Sequence, residues 1–201
     1  MMHAMRTVSY EHMADMTRED AELLSADGDE EAAELPGRIL DAVRALKQFQ
    51  GPLPVTRFEH SLQSATRAHR DGKDEEYVVA ALIHDIGDAL APYSHGEYVA
   101  AVMKPYINER VCWIVKRHPL FQAYYYAHFL GGDRNARDAY RDHEWYDDCV
   151  EFCEHYDQNC FETDYDSLPL EFFRPMVERV FGEARYAADG MSILIDRPGA
   201  N

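Results

Sequence analysis

Six residues of this 201-residue chain have types and spacing suited to holding metal ions: His60, His84, Asp85, His95, His118 and Asp157. Imidazole nitrogens and carboxylate oxygens are ligands that transition-metal cations accept. The string AALIHDIGDAL, residues 80–90, is the most informative. A histidine and an aspartate inside so apolar a run cost free energy unless they are paired or bound to a cation. Adjacent side chains on an ideal helix point about 100° apart. His84 and Asp85 therefore reach a common ion only if their helix meets it edge-on and partners arrive from elsewhere. His60 in RFEHSLQSA and Asp157 in EFCEHYDQN are such partners, each expected on its own helix. His95 is expected to open a helix and His118 to close one. Singly, His60 or His118 reads as an ordinary histidine, and Asp157 as a solvated acid like Asp147 and Asp148. Jointly, the metal reading is favoured. His12, His69, His128, His143 and His155 keep the ordinary reading, with His128 near enough in sequence to be watched.

The segments that must position these side chains read as helices. Residues 1–24 could form a short one, and the acidic stretch 25–37, ending in Pro-Gly, reads as a linker or exposed loop. Apolar residues at helical spacing mark 38–49. A break at GPLP, 51–54, precedes helices over about 57–70 and 75–90. Ser94 and Glu97 have the form of a capping box that would place His95 in the first turn of the next helix. A helix over about 108–118 is expected to end at His118, because proline disfavours helical geometry in the residue before it. Further helices are expected over 143–160 and 169–182, the last kinked or shortened by Pro175. ILID at 193–196 could be at most a short strand. The fold class is all-α, with an extension and linker over 1–37, one domain over 38–182 and a tail over 183–201.

Composition narrows the function. Lys and Arg number 20 against 37 Asp and Glu, a formal charge of −17. Such a surface repels phosphate backbones and anionic lipid, which disfavours nucleic-acid and membrane-surface partners. A locally basic pocket for a small anion stays open. No apolar run approaches the roughly 20 residues of a membrane span, and the N-terminus lacks the apolar core of a signal peptide. The four cysteines, Cys112, Cys149, Cys153 and Cys160, form no C-x-x-C pair and read as buried thiols. A cytoplasmic location is expected.

The order His, His-Asp, Asp, together with EHSLQSA and ALIHDIG, resembles the HD-domain superfamily of metal-dependent enzymes over about residues 57–181. With His95 and His118 following the His-Asp pair, the chain is similar to the binuclear branch of diiron oxygenases. That branch includes an aminoethylphosphonate-degrading enzyme and, more distantly, myo-inositol oxygenase. The resemblance implies a helical bundle with the metals at its centre. It implies one iron on His60, His84, Asp85 and Asp157, a second on His95 and His118, and Asp85 bridging them. Manganese or zinc would suit the same donors. His84 and Asp85 would then be catalytic, and the partners a small-molecule substrate and O2, with oxidative cleavage of a C–C or C–heteroatom bond.

Departures from those oxygenases bear on the substrate. The residue four past the His-Asp histidine is basic in them and is Asp88 here, on the same helix face as His84. Asp88 is therefore expected to be catalytic and substrate-binding, repelling phosphonate and favouring hydroxyl or ammonium groups. Gln122 stands where the phosphonate enzyme has lysine, and residues 48–56 lack that enzyme's Tyr and Glu pair. Tyr124 and Tyr125 could enclose an ammonium group by cation–π contact, and Lys116 could supply a nearby positive charge. The expected substrate is a small amine, polyol or phosphonate-like molecule. The alternatives are a metal-dependent phosphohydrolase acting on a small phosphoester or nucleotide, and a non-catalytic module retaining the fold.

Overall fold

The computed structural model describes residues 7–186; residues 1–6 and 187–201, including the ILID stretch, lie outside it. Among the described residues there are eight α-helices, joined by turns and short 3-10 segments, and no strand. The all-α expectation holds.

Helix α1 (Arg18–Ala33) is started by a capping box in which Thr17 accepts from the Asp20 amide and Asp20 accepts from the Thr17 amide. It covers much of the stretch expected to be a linker. Glu and Ala are good helix formers, so acidity alone did not bar a helix once a cap nucleated it. The expected Pro-Gly break instead lies in the first turn of α2 (Leu35–Ala45). Proline is tolerated there because that N–H has no helical partner anyway.

Helix α3 (Arg57–Arg70) begins with a second reciprocal cap, Thr56 with Glu59. Helix α4 (Glu75–Ile83) is capped by Asp74, and every residue from Tyr77 to Ile83 is buried. A helix apolar all round belongs in the middle of a domain, and α4 touches α2, α3, α6 (Glu109–Gln122) and α8 (Leu170–Phe181). Helices α5 (His95–Met103) and α6 pack on one another, and α7 (Tyr146–His155) lies against α6. Helix α8 returns to α2 and α4 through Phe173, Val177, Val180 and Phe181, each at most 1% exposed. Side chains of this size stabilise a core by about 1.5–3 kcal/mol each when fully buried.

Four boundaries differ from the sequence expectations, and three of them shape the site. The helix expected over 75–90 stops at Ile83 and continues as a 3-10 turn, Ile86–Ala89. Helix α6 runs through Pro119 to Gln122 instead of closing at His118. Helix α7 ends at His155, so Asp157 lies in the turn beyond it. Ser94 precedes α5 but makes no side-chain cap, because its backbone (φ −149°, ψ 28°) is outside the extended geometry that aims a capping hydroxyl inward. Pro175 sits inside an uninterrupted α8. All four cysteines are buried and free. Among the described residues no helix is long and apolar enough to cross a membrane.

Candidate metal centre

The polar side chains at the end of α4 form a cluster with two lobes. In the inner lobe, His60 on α3 and His84 at the end of α4 face each other with Nε2 atoms 3.1 Å apart. Their other nitrogens are committed: His60 Nδ1 lies 3.1 Å from the Cys160 carbonyl and His84 Nδ1 2.8 Å from the Ala81 carbonyl. A carbonyl only accepts, so Nδ1 donates and each Nε2 presents a lone pair to the other. Asp157 Oδ1 closes the lobe 3.4 Å from His60 Nε2 and 3.9 Å from His84 Nε2. In the outer lobe, His95 and His118 also bring Nε2 atoms to 3.1 Å, and His118 Nδ1 donates to the Val115 carbonyl at 2.6 Å. Facing lone pairs repel unless a proton or a metal cation lies between them. Metal–ligand bonds of about 2.0–2.2 Å put neighbouring donors on one ion roughly 3–3.5 Å apart, the spacing found here.

Asp85 joins the lobes. Its Oδ2 lies 3.6 Å from both His60 and His84, while its Oδ1 lies 3.5 Å from His95 and 3.4 Å from His118. One carboxylate thus offers one oxygen to each lobe.

Local backbone chemistry explains how consecutive residues converge. Asp85 adopts φ −105°, ψ 4°, which breaks α4 directly after His84 and re-aims the aspartate. The Ala81 carbonyl, in the last turn of the helix, has no helical partner and is free to hold His84. Pro119 does for His118 what the helix end does for His84. It has no N–H to give to the carbonyl four residues back, so Val115 keeps its acceptor for the His118 ring. Two glycines let α5 come close. A Cβ on Gly87 would stand 2.9 Å from the His95 carbonyl oxygen, and one on Gly96 2.8 Å from that of Val115. The Phe152 ring meets His84 edge-on at 5.5 Å and His118 at 6.1 Å, and Phe161 stacks on His60 at 4.7 Å.

Burial and charge compete throughout the cluster. Burial pushes His84 down to about 4, despite Asp85 and Asp157 nearby, which leaves a neutral imidazole at pH 7. Burial also opposes charge on His60 and His118. The hydrogen bonds to Asp157 and Asp85 respectively, with both carboxylates' charges, outweigh it and hold these two above the ordinary value. Burial would raise Asp85 and Asp157, yet the surrounding imidazoles, His84 and His60 foremost, keep both below the usual carboxylate range. Carboxylates favoured as anions and two imidazoles drawn toward protonation thus share the buried charge without metal, and a divalent cation would compete with those protons.

Several residues singled out from sequence fall elsewhere. Asp88 does face the cluster, but its Oδ1 lies 3.1 Å from His95 Nδ1. Its Oδ2 is against the Arg57 guanidinium, a charge contact rather than an aligned hydrogen bond. Burial and the Asp85 charge raise Asp88, against the pull of Arg57. Lys116 pairs with Glu97 at 3.6 Å and lines a cleft of about 650 Å³ between α5 and α6 that none of the six clustered residues borders. Gln122 lies one turn past His118 with its Oε1 buried and unpartnered. The Tyr124 ring is covered by Arg137 and Arg134, at 3.8 and 4.1 Å, and Tyr125 packs against the core. Sequence reasoning missed Arg57, whose Nη1 also lies 3.3 Å from Asp85 Oδ2. Its position three residues before His60 on one helix face was the available signal.

Comparison with known proteins fits this geometry. Residues 57–144 match the HD domain family model. That match takes in five of the six clustered residues, with Asp157 beyond it. A protein of Leisingera caerulea, the [1-hydroxy-2-(trimethylamino)ethyl]phosphonate dioxygenase (glycine-betaine-forming), is 32% identical over 102 residues, covering 45% of this chain and 51% of that protein. The chain spans about half the length of the curated relative it matches.

Proposed function

We propose that this chain is an HD-domain dinuclear metalloenzyme acting as a diiron oxygenase, which uses O2 to cleave a C–C or C–heteroatom bond in a small polar substrate. The observation that carries this reading is Asp85, one oxygen toward each of two imidazole pairs. Four imidazoles and two carboxylates suit iron; manganese or zinc would accept the same donors. His60, His84, Asp85 and Asp157 would hold one ion, and His95, His118 and Asp85 the other. When bound, the iron pair would supply redox chemistry with O2 that no side chain offers. The chain's part is to fix the donors, keep the inner lobe dry and orient the substrate.

The substrate side differs from the expectation drawn from Asp88. That carboxylate is engaged by His95 and Arg57 and does not confront a ligand as a free charge. Arg57, 36% exposed, lies beside the centre and is already paired with Asp85 and Asp88. The phosphonate in the relative's name supports a substrate bearing an anionic group. An anionic substrate also suits the second reading, a metal-dependent phosphohydrolase, in which two cations assist hydrolysis of a phosphoester.

The deciding experiment loads the protein with Fe2+ or Mn2+ and follows O2 uptake and phosphate release in parallel. The substrates are the relative's hydroxyphosphonate, simpler aminophosphonates, polyols and nucleotides. About two irons per chain and substrate-dependent O2 uptake are expected. Phosphate release from a phosphoester without O2 uptake would overturn the oxygenase in favour of the hydrolase.

A further inference from the structure

The four clustered imidazoles are not supported alike. His60, His84 and His118 each donate Nδ1–H to a neutral backbone carbonyl, of Cys160, Ala81 and Val115 respectively. His95 alone turns Nδ1 to a carboxylate, Asp88 Oδ1 at 3.1 Å. Asp88 is in turn held by Arg57, whose same nitrogen reaches the joining residue Asp85 at 3.3 Å. His95 is also the most exposed of the four, its side chain 18% accessible against 3% or less for the others.

We infer that Asp88 and Arg57 are positioning residues that make the two metal positions unequal, with Asp88 setting the affinity of the outer position through His95. A carboxylate behind an imidazole fixes its tautomer, aims Nε2 and makes that nitrogen a stronger donor. His118, on its carbonyl, needs no such help to stay in place inside the core. His95 stands at the first residue of α5 without a side-chain cap at Ser94, so its ring is held from Asp88 rather than from its own backbone. Arg57 keeps Asp88 oriented and spans from it to Asp85, coupling the outer lobe to the shared carboxylate. The inference rests on the dinuclear reading of the site but not on the reaction class. It assigns Asp88 to the metal rather than to the substrate.

The test is metal titration of the metal-free protein with Co2+, followed by the visible spectrum and by equilibrium dialysis. Two cations are expected in the wild type. In Asp88→Asn, which keeps size and an acceptor oxygen but loses the charge, the outer cation should bind about 10-fold more weakly, and in Asp88→Ala nearer 100-fold. The inner cation and the far-ultraviolet circular dichroism should be unchanged, and Asp88→Glu should recover part of the loss. Asp157→Asn should show the reverse pattern, weakening the inner cation first. Equal retention of both cations in Asp88→Asn, or loss of both together in a folded protein, would overturn the inference while leaving the dinuclear centre standing. A wild type that binds a single cation would overturn both.

Discussion

The two lobes of the centre use the same ligand chemistry and are built in opposite ways. The inner lobe is made of the core itself: His60 is buried in the first turn of α3, His84 follows the last residue of the buried α4, and Phe152, Phe161 and two backbone carbonyls fix the rings. The outer lobe is assembled at its edge, where the start of α5 is drawn in over Gly87 and Gly96, and His95 leans on a charged pair. An inner ligand is thus positioned by packing, which is stiff. The outer one is positioned by a charge contact and two glycines, which single substitutions can remove. Asp85 is the element the lobes share.

That contrast can be broken most completely at Asp85. Asp85→Ala should abolish stable binding of both cations, measured by metal content after gel filtration, whereas His95→Ala should spare the inner one. Next in size is Phe152→Ala. Phe152 is 1% exposed, and truncating a buried phenylalanine costs about 3–5 kcal/mol of stability. Chemical denaturation should show that loss in the metal-free protein, because the ring supports His84 and His118 together. Gly96→Ala should act on one lobe alone. A methyl group 2.8 Å from the Val115 carbonyl oxygen must push α5 off α6, and the expected result is loss of the outer cation with the inner one kept.

A smaller effect should appear in the pH dependence of the metal-free protein. His60 and His118 sit above the ordinary histidine value of about 6.5, so the stability they contribute is present below that value and lost as pH rises through their folded values. His84, held down to about 4, acts in the other direction and removes stability as pH falls from about 6.5 toward 4. Thermal melts of the metal-free protein should therefore peak near pH 6–7 and decline on both sides. Added divalent cation should abolish the alkaline decline, and a flat profile without metal would contradict the charge balance described for the cluster. The smallest effect is expected at Thr56→Ala, which removes the α3 cap for about 1 kcal/mol and should leave both cations in place.

Much of this was legible in the sequence because it is local. The apolar run of α4 and the histidines and aspartates set among core residues announce themselves over a few positions. The misjudged stretches fall where two local signals disagree. Acidic residues 25–33 read as linker, but their Glu and Ala content prefers helix and Thr17 supplies a start. Pro119 read as a stop, but the packing of α6 on α5 and α7 carries the helix past it. In doing so the missing N–H became the feature that anchors His118.

By itself the sequence determined that the chain is helical, that its buried centre is polar, and which six residues gather there, because residue type and burial pattern are written along the chain. Tertiary structure decided the remainder. It broke α4 after His84 so that neighbouring residues share a site, divided the cluster into two lobes around Asp85, and turned Asp88 from a supposed substrate contact into the support of His95. These outcomes depend on where a backbone bends and which helix end meets it. Such contacts link residues far apart in sequence, and no local pattern encodes them.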